Sequence, residues 1–332
     1  MRHYPQQLLQ QLADGQFHSG QAIATQLGVS RTAVWKKIRR TVIALGVEIE
    51  AVPGRGYRLT LPLELLDAEQ IRAELQRHHL RQPPQLELHP QLDSTNRHLL
   101  DAALNGAPSG SVCLAEHQSA GRGRRGRRWI SPFGGNLYLS LLHRSPRPPT
   151  TLGGLSIAVG LTLATLLRKL GGEEICVKWP NDLLWQGRKL GGVLIEVAGE
   201  QYGPSRAVIG VGLNLRLSTQ QGGEIDQPWV DLYQIFGAEM PSRNQLAAQL
   251  IGALLELTET FEQYGLEPWL EQWNRLDHYA NRPVRLLLGD REERGICRGI
   301  DSQGALLLEQ EGKIRPFCGG EISLRKENRE PS

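Results

Sequence analysis

The stretch AEHQSAGRGRRGRRWISPFGGNLYLS, residues 115–140, decides which α/β architecture the chain can adopt. Gly121, Gly123 and Gly126 fit the spacing G-x-G-x-x-G, the nominal dinucleotide fingerprint. That fingerprint works only where a helix follows the turn at once and aims its N-terminus at a pyrophosphate. Here WISPFGGN follows, with Pro132 and two more glycines, which excludes a doubly wound nucleotide fold. Five arginines, Arg122, Arg124, Arg125, Arg127 and Arg128, fill the variable positions on a backbone that glycine leaves free to fold over a ligand. Guanidinium groups match carboxylate and phosphate, so the loop reads as an anion clamp. Standing alone, it would serve as well for an RNA-binding patch or a solvated loop.

Working outward, the apolar pieces SVCLAEHQ, NLYLSLL, ICVKWP, KLGGVLIEV and AVIGVGLNL are short and turn-bounded, while TLGGLSIAVGLTLATLLRKLGG is long and helical. The pattern predicts an α+β body around a mixed sheet. With 332 residues, 40% of them hydrophobic and 22% charged, the chain has room for two or three domains and is too apolar for disorder. No uninterrupted apolar run approaches the ~20 residues of a membrane helix. The opening MRHYPQQLLQ lacks a signal peptide's apolar stretch, so a cytoplasmic protein without a membrane partner is expected. Cys113, Cys176, Cys297 and Cys318 are scattered without CxxC spacing, which argues against a metal site or a disulfide framework and suggests reduced, buried fillers.

The net charge of +3 hides an asymmetry. Residues 1–62 carry eight Lys/Arg against three acids, a net +5, which leaves −2 for the rest. A basic leader on a near-neutral body points to a polyanionic partner for the smaller part. Within it, Leu8, Leu9 and Leu12 mark a first helix, and Ser19 and Gly28 bracket a second. Ser30 caps a third, in which Val34, Ile38, Val42 and Leu45 fall at helical spacing and turn Arg31, Thr32, Trp35, Lys36 and Arg39 outward. VEIEAV, PGRG and YRLTL then read as a hairpin carrying Arg55 at its tip. Helix, Gly turn, helix and basic hairpin together predict a winged helix-turn-helix that binds DNA through those residues, with Ser30 at the start of the recognition helix.

Further chemistry lies in DSTN (Ser94, Thr95, Asn96), ahead of a helix these residues can cap. KWPND sets Lys178, Asn181 and Asp182 around a Pro180 turn, and RKLGGVLIE places Lys189 before glycines that permit close ligand approach. These strings, with the Gly/Arg loop, VIGVGLNL, RPVRLLLGD and GGEISLR, resemble one family over nearly the whole chain: the bifunctional biotin operon repressors and biotin protein ligases of bacteria. HSGQAIATQLGVSR and VPGRGYRL extend the resemblance to the DNA-binding part.

The resemblance implies a winged helix-turn-helix over residues 1–62, a helical linker over 63–85, a catalytic ligase domain over 86–279 and an SH3-like small β-barrel over 280–332. It implies that Ser94, Thr95, Asn96 and Gln118 face biotin, and that Arg122, Gly123 and Arg124 close over biotin and its adenylate. Lys189 contacts the carboxylate and the phosphate, and Gly121, Gly126, Lys178, Asn181, Asn214 and Trp229 belong to the nucleotide side. The expected reaction joins biotin's carboxylate to the α-phosphate of ATP, with Mg2+ on the triphosphate, and transfers biotin to a lysine of a biotin carboxyl carrier protein. Lys189, Arg122 and Arg124 would relieve the repulsion between the two anions. Asp182 reads equally as a group orienting the acceptor lysine and as a turn-capping carboxylate after Pro180. A homodimer, formed when adenylate is bound, would occupy operator DNA. A ligand-sensing regulator without catalysis and a lipoate ligase are the competing classes.

Overall fold

The structure, a computed structural model, describes residues 4–77, 83–288, 291–318 and 322–326. The N-terminal unit holds α1 (Tyr4–Leu12), α2 (Gly20–Gln26), α3 (Arg31–Leu45) and an antiparallel hairpin of β1 (Ile49–Val52) and β2 (Gly56–Leu59). Ser19 Oγ accepts from Ala22 N and Ser30 Oγ from Ala33 N, the two caps expected from the sequence. Gly28 and Gly46 hold φ of +62° and +64° at the ends of the last two helices, where glycine carries no Cβ penalty. Val34, Ile38 and Leu45 are buried, in a core shared with α1 and β2.

The segment expected to be a linker does more. Asp67 caps α4 (Ala68–Gln76), and Ile71 and Leu75 enter the main core through contact with α9 (Arg243–Tyr264).

The body is a seven-stranded mixed sheet. Its strands are β3 (Leu86–His89), β4 (Val112–Ala115), β5 (Asn136–Ser145), β6 (Ile175–Lys178), β7 (Asp182–Trp185), β8 (Arg188–Gly199) and β9 (Ser205–Asn214). They run in the order β3-β4-β5-β9-β8-β7-β6, parallel only between β3 and β4. Along β5 the side chains alternate as a pleat requires. Leu137, Leu139 and Leu141 face the main core with α9 and α6 (Leu155–Lys169), while Leu142 joins the smaller core under α5 (Thr95–Leu104). Pro149–Lys169 is long and apolar enough by length and composition to cross a membrane; in the fold, nine of the fifteen α6 residues are buried against the sheet and α9.

The C-terminal unit contains β10 (Pro283–Leu288), β11 (Arg291–Ile300), β12 (Leu306–Gln310), β13 (Lys313–Phe317) and β14 (Ile322–Lys326), antiparallel in the order β13-β12-β11-β10-β14. The two edge strands do not pair among the described residues, so the expected barrel is here an open sheet. Residues 289 and 290, between β10 and β11, lie outside the described residues. The four cysteines are unbridged, and Cys318 is exposed, against the expectation of buried fillers.

Candidate active site

One end of the main sheet, between the α5 N-terminus, the Gly/Arg loop and the β6–β8 strands, encloses a cavity of about 610 Å³. That is ample for a ligand of drug size. Ser94 is the N-cap residue of α5, but its side chain makes no cap bond. The cap expectation therefore fails, because Ser94, Thr95 and Asn96 are buried and turned to the cavity instead. Gln118 Oε1 accepts from Thr95 N at 2.9 Å and from Thr95 Oγ1 at 3.2 Å. Ser140 Oγ, reaching up from β5, sits 2.7 Å from Thr95 Oγ1 and 2.6 Å from Asn96 Oδ1. Asn96 Nδ2 in turn donates to Glu196 Oε2 at 2.9 Å, and Arg122 pairs with the same oxygen at 3.0 Å. The result is a largely buried lattice of polar groups at one end of the cavity, oriented before any ligand arrives.

At the other end the charge is positive. Arg124 donates to Asn181 Oδ1 at 3.2 Å. Burial, and after it the charge of Arg125, press Arg124 below the ordinary guanidinium range, while Asp182 pulls it back. Lys189 Nζ lies 2.7 Å from Asp182 Oδ1 and 5.5 Å from the centre of the Trp129 ring, and Lys178 Nζ lies 3.7 Å from Asp182 Oδ2. One carboxylate thus holds two lysines at the place where KWPND meets RKLGG, through the antiparallel pairing of β7 and β8. Trp229 is fixed beside the cavity by the bridge to Lys189 and by Gly222, whose missing side chain leaves room for the indole.

Of the residues expected at the site, Ser94, Thr95, Asn96, Gln118, Arg122, Gly123, Arg124, Lys178, Asn181, Asp182, Lys189, Asn214 and Trp229 all line this one cavity. Gly121 and Gly126 do not: a Cβ on Gly121 would lie 2.4 Å from Ser131 Oγ, and Gly126 takes a left-handed φ of +69°. Their contribution is to shape the loop. Asn214 spends its amide on Val230 O at 3.1 Å, tying the strand end to the segment that bears Trp229. Residues 124–126 make a single tight turn and no helix follows, as the exclusion of a dinucleotide fold required. Trp129, Gly210 and Gly212 also line the cavity, Glu196 holds Asn96 and Arg122, and all four were missed. A Cβ on Gly210 would meet Asn96, and one on Gly212 would meet Trp129, so the alternate glycines of VIGVGLN were the available signal.

Asp182 is engaged by both lysines, and among the described residues no trio of His, Cys, Asp or Glu able to hold a metal gathers at this cavity.

In the N-terminal unit Arg31, Thr32, Trp35, Lys36 and Arg39 are exposed on α3, with the Arg39 guanidinium 5.1 Å over the Trp35 ring. Arg55 is exposed on the hairpin and lies 4.1 Å over Phe17. Ser30 is engaged as the cap. Arg31, Thr32, Trp35, Lys36 and Arg39 fall on one side of α3, and the whole unit is built on a core separate from that of the cavity.

Fold and site together define a protein ligase of the biotin and lipoate type carrying a helix-turn-helix domain. Residues 88–214 match the biotin/lipoate A/B protein ligase family, residues 6–58 an HTH domain, and residues 279–325 the biotin protein ligase C-terminal domain. The bifunctional ligase/repressor BirA of Escherichia coli (strain K12) is 47% identical over 321 residues, 97% of each chain. That of Bacillus subtilis (strain 168) is 32% identical, covering 94% of this chain and 95% of its own. The biotin protein ligase from Aquifex aeolicus in complex with biotin and ATP superimposes with a TM-score of 0.62 at 26% identity, over 73% of this chain and 99% of that one. The chain belongs to the bifunctional ligase/repressor family.

Proposed function

We propose that the cavity activates biotin with ATP to biotinyl-5′-AMP and then hands biotin to a lysine of a biotin carboxyl carrier protein. The observation that carries this reading is the division of one cavity into a neutral, hydrogen-bonding end and a cationic end, with Lys189 at the boundary. Attack of a carboxylate on a phosphate brings two anions together, and preorganised positive groups offset that repulsion where it is greatest. Lys189, Arg122 and Arg124 occupy those positions, and each is held by a partner that an incoming anion displaces: Asp182, Glu196 and Asn181. Asp182, freed of Lys189, is then the carboxylate available to orient the acceptor lysine. Magnesium belongs to this reading as the companion of the triphosphate. Gly123 lets the loop close and exclude water from a mixed anhydride that hydrolyses readily.

The N-terminal unit, residues 1–62, reads as a winged helix-turn-helix on operator DNA. Its small face calls for a two-fold partner, so the adenylate-bound form acts as a homodimer. Residues 63–85 connect it to the ligase domain of 86–279, and residues 280–332 fit an SH3-like unit. Substrates, carrier and DNA together place the chain in the cytoplasm. The test is incubation with ATP and either biotin or lipoate, reading pyrophosphate release and carrier labelling. Biotin alone should be accepted. Lys189→Ala should slow adenylation about a hundredfold, ~3 kcal/mol, with ATP affinity little changed. A rate within a few-fold of the parent removes Lys189 from the chemistry.

A further inference from the structure

Away from the cavity, tertiary packing gathers a second chemical group. The parallel pairing of β3 with β4 sets Glu87 opposite Cys113. His89, two residues along the same strand, shares the face of Glu87, and α5 crosses above with His98 on its underside. Both imidazoles aim at one carboxylate oxygen: His98 Nε2 lies 2.7 Å and His89 Nε2 3.2 Å from Glu87 Oε2. The ring centres are 4.6 Å apart. The Cys113 sulfur completes the group, with one ligand atom from each of Cys113, His89 and His98 lying within 4.8 Å of the others. Nothing in the ligase chemistry uses these side chains.

We propose that His89, His98 and Cys113, with the Glu87 carboxylate as fourth ligand, form a site for a divalent transition metal of the zinc class. Two imidazoles, a thiolate and a carboxylate are a donor set for tetrahedral zinc, and the sulfur and nitrogen donors disfavour magnesium or calcium. Bond lengths of about 2.0–2.3 Å to zinc put tetrahedral ligand atoms roughly 3.3–3.7 Å apart. The imidazole–carboxylate distances are already near that, and the sulfur side closes by about an ångström through side-chain rotation. The ion takes a point between the two rings and the sulfur, the Glu87 carboxylate oxygen on which both rings now converge moving aside to become its fourth ligand. It displaces the thiol proton to solvent and any second proton an imidazolium carries. Cys113 is fully buried. A metal ion supplies the positive charge a thiolate there needs. His89, His98 and Glu87 are between a quarter and a half exposed, so an ion reaches the site from solvent. Bound, it would tether edge strand β3 to the helix whose first turn presents Thr95 and Asn96 to the cavity.

The experiment uses the full chain purified without a polyhistidine tag, stripped with chelator and free of nucleotide. It is titrated with Zn2+ against a chromophoric chelator and with Co2+ as a spectroscopic probe. One ion per chain should bind with micromolar or tighter affinity, raise the melting temperature, and give Co2+ a sulfur charge-transfer band. His98→Gln and His89→Gln should each weaken binding roughly tenfold or more, while ligation measured with Mg2+ and ATP alone stays at the parental rate. Cys113→Ser should remove the sulfur band. Cys176→Ala, where Cys176 Sγ lies 3.6 Å from His278 Nδ1, should change nothing. Absence of stoichiometric binding overturns the proposal, as does Zn2+ affinity unchanged in the double histidine variant. A Co2+ complex without the sulfur band in the parent protein overturns the assignment of Cys113. The two histidines are half-buried, so their variants keep the test valid if Cys113→Ser does not fold.

Discussion

The N-terminal and C-terminal units join the ligase body in opposite ways. The helix-turn-helix unit has its own core, into which the body sends Phe133 from the segment after the Gly/Arg loop, with Leu63 and Leu65 packed alongside. Two hydrogen bonds reinforce the joint: Phe133 N to Leu45 O at 3.1 Å, and Gln221 Nε2 to Gly46 O at 2.6 Å. Among the described residues the C-terminal sheet has no separate core. Val284, Leu286, Cys297, Leu306 and Leu308 belong to the same apolar cluster as the main sheet, and Trp179 donates to Gly304 O at 3.0 Å. A unit with a separate core can change its orientation without unfolding its neighbour, whereas one that shares a core cannot. The DNA-binding part is therefore built as an attachment, and the C-terminal part as a wall of the catalytic body behind KWPND.

The widest separation should come from truncation. Removing residues 1–62 should abolish DNA binding and leave a folded, adenylating body. Removing residues 279–332 deletes six side chains of the shared core, Tyr279, Val284, Leu286, Cys297, Leu306 and Leu308, and bares the apolar face they cover, each such burial being worth about 1.5–3 kcal/mol. Their sum rivals the whole stability of a domain, so that product should not fold. Circular dichroism melts of the two fragments, with pyrophosphate release from each, decide the matter. A folded, active chain ending at residue 278 would break the comparison.

A single side chain tests the same wall. Trp179 is 1% exposed, bridges to the C-terminal sheet, and heads the turn bearing Asn181 and Asp182. Trp179→Ala should cost about 3–5 kcal/mol in denaturant unfolding and slow adenylation as well. Loss of stability with full activity would show that the turn is held without the wall.

The joint between body and C-terminal sheet also carries a buried acid. Asp277 accepts from Tyr279 N at 3.0 Å and faces the Cys297 thiol at 3.4 Å, and burial pushes its carboxyl up to about 6 from the ordinary 3.8. Because the folded value lies above the unfolded one, folding favours the protonated form. Stability should then fall as pH rises from about 4 to 6 and stay lower above that, by an order of 2–3 kcal/mol. Asp277→Asn should flatten that slope and raise the melting temperature at pH 7 while leaving the pH 4 value nearly unchanged. An unaltered slope would mean that Asp277 is hydrated at the joint.

How much of this was legible depended on the range of the interaction involved. The α3 face could be read because Val34, Ile38 and Leu45 recur at the period of one helix. The Gly/Arg loop stood out by composition alone. Local cues misled at DSTN, where a Ser-initiated helix suggested a cap, while Gln118 and Ser140, 23 and 45 residues from Thr95 in the chain, turn the polar atoms toward the cavity. The α4 helix looked like a connector because its apolar partner, α9, lies far along the chain. The convergence of His89, His98 and Cys113 leaves no mark in sequence spacing, since a parallel strand pair and a crossing helix create it.

The smallest expected effect lies at the other joint and is the finest probe of it. Gln221 does two things: Oε1 accepts from Ser218 N in the capping box of α7 (Thr219–Gly223), and Nε2 donates to Gly46 O of the helix-turn-helix unit. Gln221→Glu keeps the acceptor for Ser218 and replaces the donor with a second acceptor facing a carbonyl. The cap survives while the bond between units is lost, a change of about 1 kcal/mol that leaves each core intact. Global unfolding should move little and adenylation should stay within about twofold. Amide exchange should quicken selectively at Gly46 and Val47 at the end of α3, because opening there no longer breaks a contact with the body. Should exchange rise equally through β10 and β11, the two units would not be attached in different ways, and the distinction drawn between them would fail.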